Sequence, residues 1–375
     1  MRRPVAALLV IAWLRQPAFA DADNPVPAPP DPSGAVTASG ATPPAPQPDA
    51  PTPAATTPWI DLAPAPVLDH TDDDGQPKRD HKTAAALTLA GFYVAFTGWT
   101  YIAWYRKHKP LAEYKFGGDG WLGDRTYAGG ADKFGHAWAT MSLARMGTEI
   151  LNQWGGYSRL GSALVATALS EALFAGVEVK DGFYYEFSFS DLAGDTTGAV
   201  LAFALSMWPR LDELFDYRVQ YFPSQMYIRK LTGASPCPTG SCSKYNIAED
   251  YSGETYLLAF HLGGIHALRD LECGSFHCGT LARFIDLTAS FDTRNYKPNP
   301  DPQFGYAPHQ QMALGISFNA QGFFDWLLED RPSRASHHAR KITHALGEVF
   351  NLPFSSVRLI KHDDTPTGPI TRDGA

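Results

Sequence analysis

The sequence predicts an α+β fold, in which a helical bundle of about four helices precedes a small antiparallel β meander and a C-terminal amphipathic helix. Three observations predict it. Residues 83–208 consist of long, weakly charged segments that are bounded by glycine and proline, as helices are. After residue 250, apolar and polar side chains alternate with a period of two. The first 80 residues have too few large apolar side chains to form a core, apart from one short N-terminal run.

The N-terminus has the organisation of a secretory signal peptide. Two arginines precede the apolar run Val5–Leu14, and Ala18–Ala20 forms a small-x-small cleavage site. Residues 1–20 are therefore predicted to be cleaved off, and the absence of a cysteine after the site argues against a lipid-modified N-terminus. Residues 21–80 are rich in proline and alanine, so we expect them to be a disordered tether.

Residues 81–210 are predicted to form the helical bundle, which we expect to be membrane-embedded. Thr83–Tyr105 contains no charged residue and is long enough to span a membrane. The basic segment Arg106–Lys109 that follows is typical of the border of such a span. A buried core helix is the alternative interpretation of this segment. Three further helices are predicted, at Asp132–Trp154, Arg159–Asp181 and Asp191–Trp208.

Residues 211–360 are predicted to be an antiparallel strand domain, and residues 361–375 a disordered tail. Alternation of apolar and polar side chains predicts strands near Glu254–Leu262, Arg283–Tyr296 and Gln311–Asn319. So few strands do not close a transmembrane barrel, so the domain is expected to be periplasmic. A late helix, Ser333–Asn351, is expected to turn its polar residues to solvent: His337, His338, Arg340, Lys341 and His344.

The four cysteines form two C-x4-C pairs, Cys237 with Cys242 and Cys273 with Cys278. An even number of cysteines in an exported chain predicts disulfides, and the sequence alone leaves three pairings open. A zinc site is the alternative, because His277 adjoins the last cysteine.

Short connections make consecutive helices antiparallel, so the start of the second helix, the end of the third and the start of the fourth should meet. The ionisable residues expected to converge there as a binding site are Asp132, Lys133, His136, Glu171, Glu178, Asp181, Asp191 and Asp195. Glu171 lies in the middle of its helix, where a carboxylate without a partner is costly. Glu171 and His136 are therefore the candidate catalytic residues, and capping or a structural polar network is the alternative role for the set.

Three stretches of the bundle resemble a known family: DKFGHAWATMSLAR, the Glu171 helix followed by VKDGF, and FSFSDLAGDTTG. They resemble the YfiM-like bacterial envelope proteins, of unestablished activity, and more distantly the VanZ-like membrane proteins. The VanZ-like core reads Asp-Lys-x-x-His, a helix with Glu, then Ser-x-x-Asp-x-x-x-Asn-x-x-Gly. Here Asp195 stands in place of that Asn, and Gly198 retains the Gly. The resemblance covers about Tyr127–Trp208 and implies an envelope location and a helical hairpin pair, but no reaction.

Together these observations predict a membrane-anchored protein of a Gram-negative cell envelope, with a periplasmic tether and C-terminal domain. We expect a binding or structural module whose cluster holds a polar headgroup or a partner. Alternatives are a metal- or proton-binding site, or a hydrolase of an envelope lipid or glycan that uses His136 and a carboxylate.

The expected partners are the membrane and an envelope lipid, glycan or protein. No cofactor or metal is assigned, and the sequence contains no G-x-S-x-G, H-E-x-x-H or phosphate-loop motif, so an enzyme is not favoured. A net charge of −8 without a basic aromatic stripe argues against a nucleic-acid partner.

Overall fold

A computed structural model describes residues 81–364, apart from positions 119, 124–125, 234–246, 274–277, 297–306, 330 and 332. The expected signal peptide and tether, and the cysteines Cys237 and Cys242, lie outside the described residues. The described part combines helices with one main sheet whose long strands are antiparallel, so the predicted α+β class is confirmed.

Four long helices form the first half: α1 (Lys82–Thr100), α2 (Ala131–Glu149), α3 (Arg159–Tyr184) and α4 (Phe189–Met207). One π-helical turn prolongs each of the first two, Tyr101–Tyr105 after α1 and Ile150–Trp154 after α2. The Ser188 hydroxyl caps α4 by accepting a hydrogen bond from the Asp191 amide at 3.2 Å. The helices agree with the predicted bundle to within a few residues.

Shorter helices accompany the strands: α5 (Pro209–Asp212), α6 (Gln225–Thr232), α7 (His266–Arg269), α8 (Gly279–Ala282), α9 (Ala320–Glu329) and α10 (Arg334–Val349). Two two-residue strands, β1 (Phe116–Gly117) and β2 (Phe187–Ser188), pair in parallel beside the bundle. The main sheet contains β3 (Phe215–Tyr221), β4 (Glu254–His261), β5 (Ile285–Arg294), β6 (His309–Phe318), β7 (Phe350–Asn351) and β8 (Ser356–Asp364). The three predicted strands correspond to β4, β5 and β6, whereas β3 and β8 were not predicted.

The main sheet curls so strongly that its two edges approach each other. Its order is β7-β3-β4-β5-β6-β8, yet only residues 352–355 separate β7 from β8. The edges of a flat sheet of this width would lie about 24 Å apart, whereas five residue steps reach only about 17 Å. The Ser356 hydroxyl on β8 donates to Gln220 Oε1 on β3 at 3.0 Å. The curled sheet therefore encloses one of its faces.

Helix α2 packs on part of the other, outer face of the sheet and joins the two halves of the molecule. The Tyr217 hydroxyl donates to the Phe134 carbonyl at 3.0 Å, and the rings of Phe134 and Phe291 stack with centroids 4.4 Å apart. The buried side chains of this shared core include Ala131, Ala137, Met141, Ala144, Ala202, Leu205, Tyr217, Val219, Tyr256 and Phe291. This core fixes the start of α2 relative to the sheet.

Two helices are long and apolar enough to cross a membrane by length and composition: Lys82–Tyr105, of 24 residues, and Arg159–Tyr184, of 26 residues. Only 17% and 33% of their most apolar windows are buried within the described structure. Leu87 and Val94 on α1 are 68% and 73% exposed. Among the described residues, α1 is therefore not the buried core helix that was the alternative interpretation.

The polar residues of α10 do not all face solvent, although the sequence predicted that they would. His344 Nδ1 lies 2.7 Å from Asp325 Oδ2 on α9, and Arg340 Nε lies 3.3 Å from Asp325 Oδ1. Ile342 and Leu346 are instead 60% and 53% exposed. The prediction is wrong for Arg340 and His344 because the mostly buried Asp325 needs cationic partners, and burying a carboxylate without one is costly. The other three residues of that set are exposed as predicted.

Cys273 and Cys278 form a disulfide across the second C-x4-C pair, with their Cα atoms 5.7 Å apart. The predicted disulfide is confirmed for these two residues. Because both thiols are used in the bond, they are not free to bind zinc as thiolates.

Candidate functional site

The segment before α2 is held on the sheet, and this positions the first ionisable residues. Gly129 and Gly130 have φ of +63° and +85°, a left-handed conformation that glycine adopts without strain. The Gln310 side chain donates to the Gly129 carbonyl at 2.7 Å, and the Thr293 hydroxyl donates to the Ala128 carbonyl at 2.8 Å. The sharp turn therefore starts α2 at a fixed place on β5 and β6.

A buried ion group forms between the starts of α2 and α4. Lys133 Nζ lies 2.8 Å from Asp191 Oδ1 and 3.6 Å from Asp132 Oδ2. The Tyr251 hydroxyl donates a hydrogen bond to Asp132. All three ionisable residues are at least nine-tenths buried, so the ammonium group is shared by two carboxylates in a poorly solvated place.

His136 lies next to this ion group and contacts carboxylates from three helices. Its Nδ1 lies 2.9 Å from Asp195 Oδ1 and 3.7 Å from Glu178 Oε1, and its Nε2 lies 3.8 Å from Asp132 Oδ1. We call the six residues of these two groups the bundle cluster: Asp132, Lys133, His136, Glu178, Asp191 and Asp195.

Neighbouring groups orient two of the carboxylates that face His136. Asp195 Oδ1 also accepts a hydrogen bond from the Thr140 hydroxyl at 3.0 Å, and Glu178 Oε2 accepts one from the Ser188 amide at 3.2 Å. The second oxygen of Asp195, Oδ2, is buried without a hydrogen-bond partner, and the residue is 0% exposed. An orphaned carboxylate oxygen in a fully buried place is unusual and calls for a ligand or a proton.

Two glycines let α4 approach α2 closely enough for these contacts. A Cβ at Gly198 would lie 2.1 Å from the Ala137 carbonyl oxygen, and one at Gly194 would lie 2.7 Å from the Lys133 carbonyl oxygen. Gly194 and Gly198 have the small-x-x-x-small spacing of closely packed helices, a signal in the sequence that the expected site did not use. Thr140 and Tyr251 were likewise missed, because nothing local in the sequence connects them to the cluster.

The other two predicted site residues lie beside the bundle cluster. The Thr196 hydroxyl donates to Glu171 Oε1 at 2.7 Å, and Glu171 is partly exposed. The Tyr105 hydroxyl donates to Asp181 Oδ1 at 2.6 Å and joins the end of α1 to the end of α3. Among the described contacts, neither carboxylate reaches His136 directly, so Glu178 takes the place in the cluster that Glu171 was expected to have.

The charges of the bundle cluster do not balance. Four buried carboxyl groups face only two side chains that can be cationic, Lys133 and His136, so acidic groups outnumber basic ones in the cluster. Burial, and then the charge of Asp191, raise the pKa of Asp132 to about 6, against His136, Lys133 and Tyr251. Burial lowers the pKa of His136, but Asp195, Asp132 and Asp191 outweigh it and hold that pKa well above its ordinary value.

Two sets of donor atoms in the cluster are close enough to hold a metal ion. Within each set all donor atoms lie within 4.8 Å of one another, and the sets are Asp132, His136 and Asp191, and His136, Glu178 and Asp195. Ligand atoms about 2.1 Å from a metal lie roughly 3.0 to 4.2 Å from each other in tetrahedral or octahedral sites. The His136 distances to Asp195 and Glu178, 2.9 and 3.7 Å, are near this range.

Residues 118–207 match the model of a family described as a predicted periplasmic lipoprotein, DUF2279. The match covers the loop before α2 and helices α2 to α4, and therefore all of the bundle cluster. No curated protein and no solved structure matches the chain.

The match supports the prediction of an uncharacterised bacterial envelope family. It does not test the resemblance to the YfiM-like and VanZ-like proteins. The description confirms the predicted location, a membrane-anchored protein of the Gram-negative envelope. The first cysteine in the sequence is Cys237. The match therefore supports the envelope location, but the sequence has no cysteine near residue 20 that could be acylated.

Proposed function

We propose that this envelope protein binds a divalent cation in its helical bundle, between His136 Nδ1, Glu178 and Asp195. The observation that carries the proposal is the buried, unpartnered Oδ2 of Asp195 within a cluster whose four carboxyl groups outnumber its two basic side chains. One divalent cation would displace the proton from His136 Nδ1, would offset two of the negative charges around it and would provide the missing partner of Asp195 Oδ2.

The second donor set is less suited to a metal. Lys133 lies 2.8 Å from Asp191 and also contacts Asp132, so an ammonium group already compensates these carboxylates. The metal would therefore bind His136 Nδ1 together with Glu178 and Asp195. Asp132 would remain beside His136 Nε2, where a carboxylate commonly orients a metal-bound histidine. The hydroxyl of Thr140 and the amide of Ser188 would orient Asp195 and Glu178 in the same way.

The donor types indicate which ion is bound. One imidazole nitrogen with carboxylate oxygens suits zinc, manganese or iron(II), whereas calcium and magnesium prefer oxygen ligands alone. We therefore take zinc and manganese as the first ions to test.

A polar headgroup, the ligand expected from the sequence, is less well supported at this place. The side chain of His136 is 17% exposed and that of Lys133 is 7% exposed, which leaves little access for a large group. Two cavities of the described residues lie elsewhere, one beside Arg145 and Arg159 and one beside Arg294 and Arg358.

The test compares two glutamates of one helix. Glu178→Gln removes a proposed ligand, whereas Glu171→Gln makes the same chemical change one heptad earlier on α3, beside Thr196. Metal content of the purified full chain is measured after dialysis against zinc or manganese, and affinity is measured by titration calorimetry. We expect wild type and Glu171→Gln to bind one ion with equal affinity, and Glu178→Gln and Asp195→Asn to bind it at least roughly 100-fold more weakly.

Thermal unfolding provides a second measurement. A bound ion should raise the unfolding temperature of wild type and of Glu171→Gln, but not of Glu178→Gln, because only a folded-state ligand stabilises the fold. If wild type binds neither ion more tightly than Glu178→Gln does, the excess charge is neutralised by protons and the proposal is wrong.

A further inference from the structure

The face that the curled sheet encloses is polar and ionised. Arg218 Nη1 lies 2.9 Å from Asp286 Oδ2, and Arg218 Nη2 lies 2.6 Å from Asp216 Oδ2. His261 joins the same two carboxylates, at 2.7 Å from Asp286 and 3.0 Å from Asp216. Arg218 is 1% and Asp286 0% exposed. The interior of this half of the molecule is thus a paired polar network.

The outer face of the same sheet is apolar where α2 does not cover it. On β5 and β6, Leu287 pairs with Ile316, and these side chains are 45% and 38% exposed. On β6 and β8, Leu314 pairs with Ile360, at 54% and 67% exposed. The pairs Ile285 with Phe318 and Ile316 with Val357 extend the patch. Across these three strands the outward positions of the patch carry no charged side chain.

Helices α9 and α10 repeat this reversed arrangement. On α9, Gln321 and Asp325 are 5% and 8% exposed, whereas Trp326 is 43% exposed. On α10, Arg340 and His344 turn inward while Ile342 and Leu346 face outward. A water-soluble helix on a protein surface normally has the opposite orientation. A protein with a polar interior and an apolar exterior is stabilised by contact with lipid rather than with water.

We propose that the apolar outer face of β5, β6 and β8 lies against the acyl chains of one membrane leaflet. The patch extends four residue steps along β6, from Leu314 to Phe318, which is about 14 Å. This is close to half of the roughly 30 Å hydrocarbon core of a bilayer. The patch is therefore deep enough for one leaflet and too short to span both.

The charge at one end of the patch fits the same occupant. Arg283 lies two residues before Ile285, at the end of the apolar band, and its partly exposed side chain pairs with Glu329. A long cationic side chain at this end can reach the anionic phosphates of lipid headgroups, and the opposite end of the band then faces the centre of the bilayer. The exposed, apolar α1 gives the chain a second surface that fits a membrane. The C-terminal domain would then sit in the surface of the membrane rather than free in the periplasm.

The experiment maps lipid contacts in the full chain. The protein is reconstituted, one copy per disc, in nanodiscs of phosphatidylethanolamine and phosphatidylglycerol that contain a phospholipid with a diazirine in its acyl chain. After photolysis, mass spectrometry should find adducts on peptides with Leu287, Ile316 and Ile360, and on α1, but not on the β3 peptide that contains Arg218. Leu287→Lys with Ile316→Lys should reduce the adducts on β5 and β6 roughly tenfold, because a cation on a lipid-facing strand is costly. The same change should leave the adducts on α1 unchanged.

Two outcomes would overturn the proposal. Adducts confined to the helices, with β5, β6 and β8 unlabelled in single-copy discs, would show that lipid does not touch the patch. A dimer in detergent that the two lysine substitutions dissociate, together with unlabelled strands, would assign the patch to a second copy of the chain. Circular dichroism of the double variant checks that the fold survives, and the wild-type labelling pattern tests the proposal even if it does not.

Discussion

Asp195 contacts His136 through only one of its two carboxylate oxygens, at 2.9 Å, and its other oxygen is buried without a partner. The contact depends on how closely α4 approaches α2, because Asp195 lies on α4 and His136 on α2. Gly198 sets that approach from a position three residues after Asp195, where its missing Cβ leaves room for the Ala137 carbonyl oxygen.

Gly198→Ala should therefore separate the two helices and weaken the fold. The added Cβ would lie 2.1 Å from a backbone oxygen that cannot move easily. We expect the free energy of unfolding to fall by about 1–3 kcal/mol, the usual cost of overpacking. Gly176→Ala on α3 is the matched control, because its Cβ would meet nothing within 4 Å. A helix-interior glycine with such space should be neutral or gain up to about 1 kcal/mol as alanine. Denaturant unfolding measures both, and equal effects would contradict the packing argument.

The Arg145 ion group should be important for stability. Arg145 is 8% exposed, lies 2.9 Å from Glu348 Oε2 and also pairs with Asp212. Arg145→Met would leave Asp212 without its cation and Glu348 with His344 as its remaining partner, at a cost of about 3–5 kcal/mol in the free energy of unfolding. The control is Arg283→Met, which breaks the more exposed pair with Glu329 and should cost less than about 1 kcal/mol. A small effect at Arg145 would mean that water reaches the carboxylates.

Stability should fall between about pH 6.5 and pH 9 because of His261. Burial lowers its pKa, but Asp286 and Asp216 outweigh burial and raise it to about 9. The folded state then holds a proton that the unfolded chain releases near pH 6.5. The stabilisation is present below that pH and is lost as the pH rises through 9, and it is on the order of 3 kcal/mol. Urea unfolding from pH 6 to 10 measures it, and His261→Gln should flatten the profile. A profile of unchanged slope in that variant would assign the effect to another group.

The disulfide between Cys273 and Cys278 should form in the exported protein and contribute modest stability. Peptide mapping without reduction should recover these two cysteines in one linked fragment. The bond closes a short loop, so replacing both residues by serine should cost about 2 kcal/mol. Alkylation of both thiols before reduction would contradict the predicted bond.

Much of the fold is predictable from local signals. Glycine, proline and the Ser188–Asp191 cap mark the ends of the helices to within about three residues, although α3 continues through Gly182 to Tyr184. The alternation along Arg283–Tyr296 correctly predicted β5. It also showed which residues share a face, because neighbouring side chains on a strand point to opposite sides. It did not show which face is buried: the polar face is inside.

The site was predictable in composition but not in its contacts. The sequence determined that ionisable residues from α2, α3 and α4 meet at one end of the bundle, since short connections make the helices antiparallel. Whether Glu171 or Glu178 contacts His136 depends on depth along the bundle and on how α3 and α4 pack, which local spacing does not fix. The structure places Glu178 in the cluster and pairs Glu171 with Thr196.

What the sequence by itself determined is therefore mostly local: approximate helix ends, caps, which residues share a strand face, and the acidic composition of the bundle cluster. Only the tertiary structure decided that the sheet curls around Arg218 and Asp286 and leaves Leu287 and Ile316 outside. The reason is physical. Sheet curvature comes from pairings between residues far apart in the chain, such as β3 with β7 and β6 with β8. A pattern of period two is the same whether its apolar face turns to a protein core or to lipid.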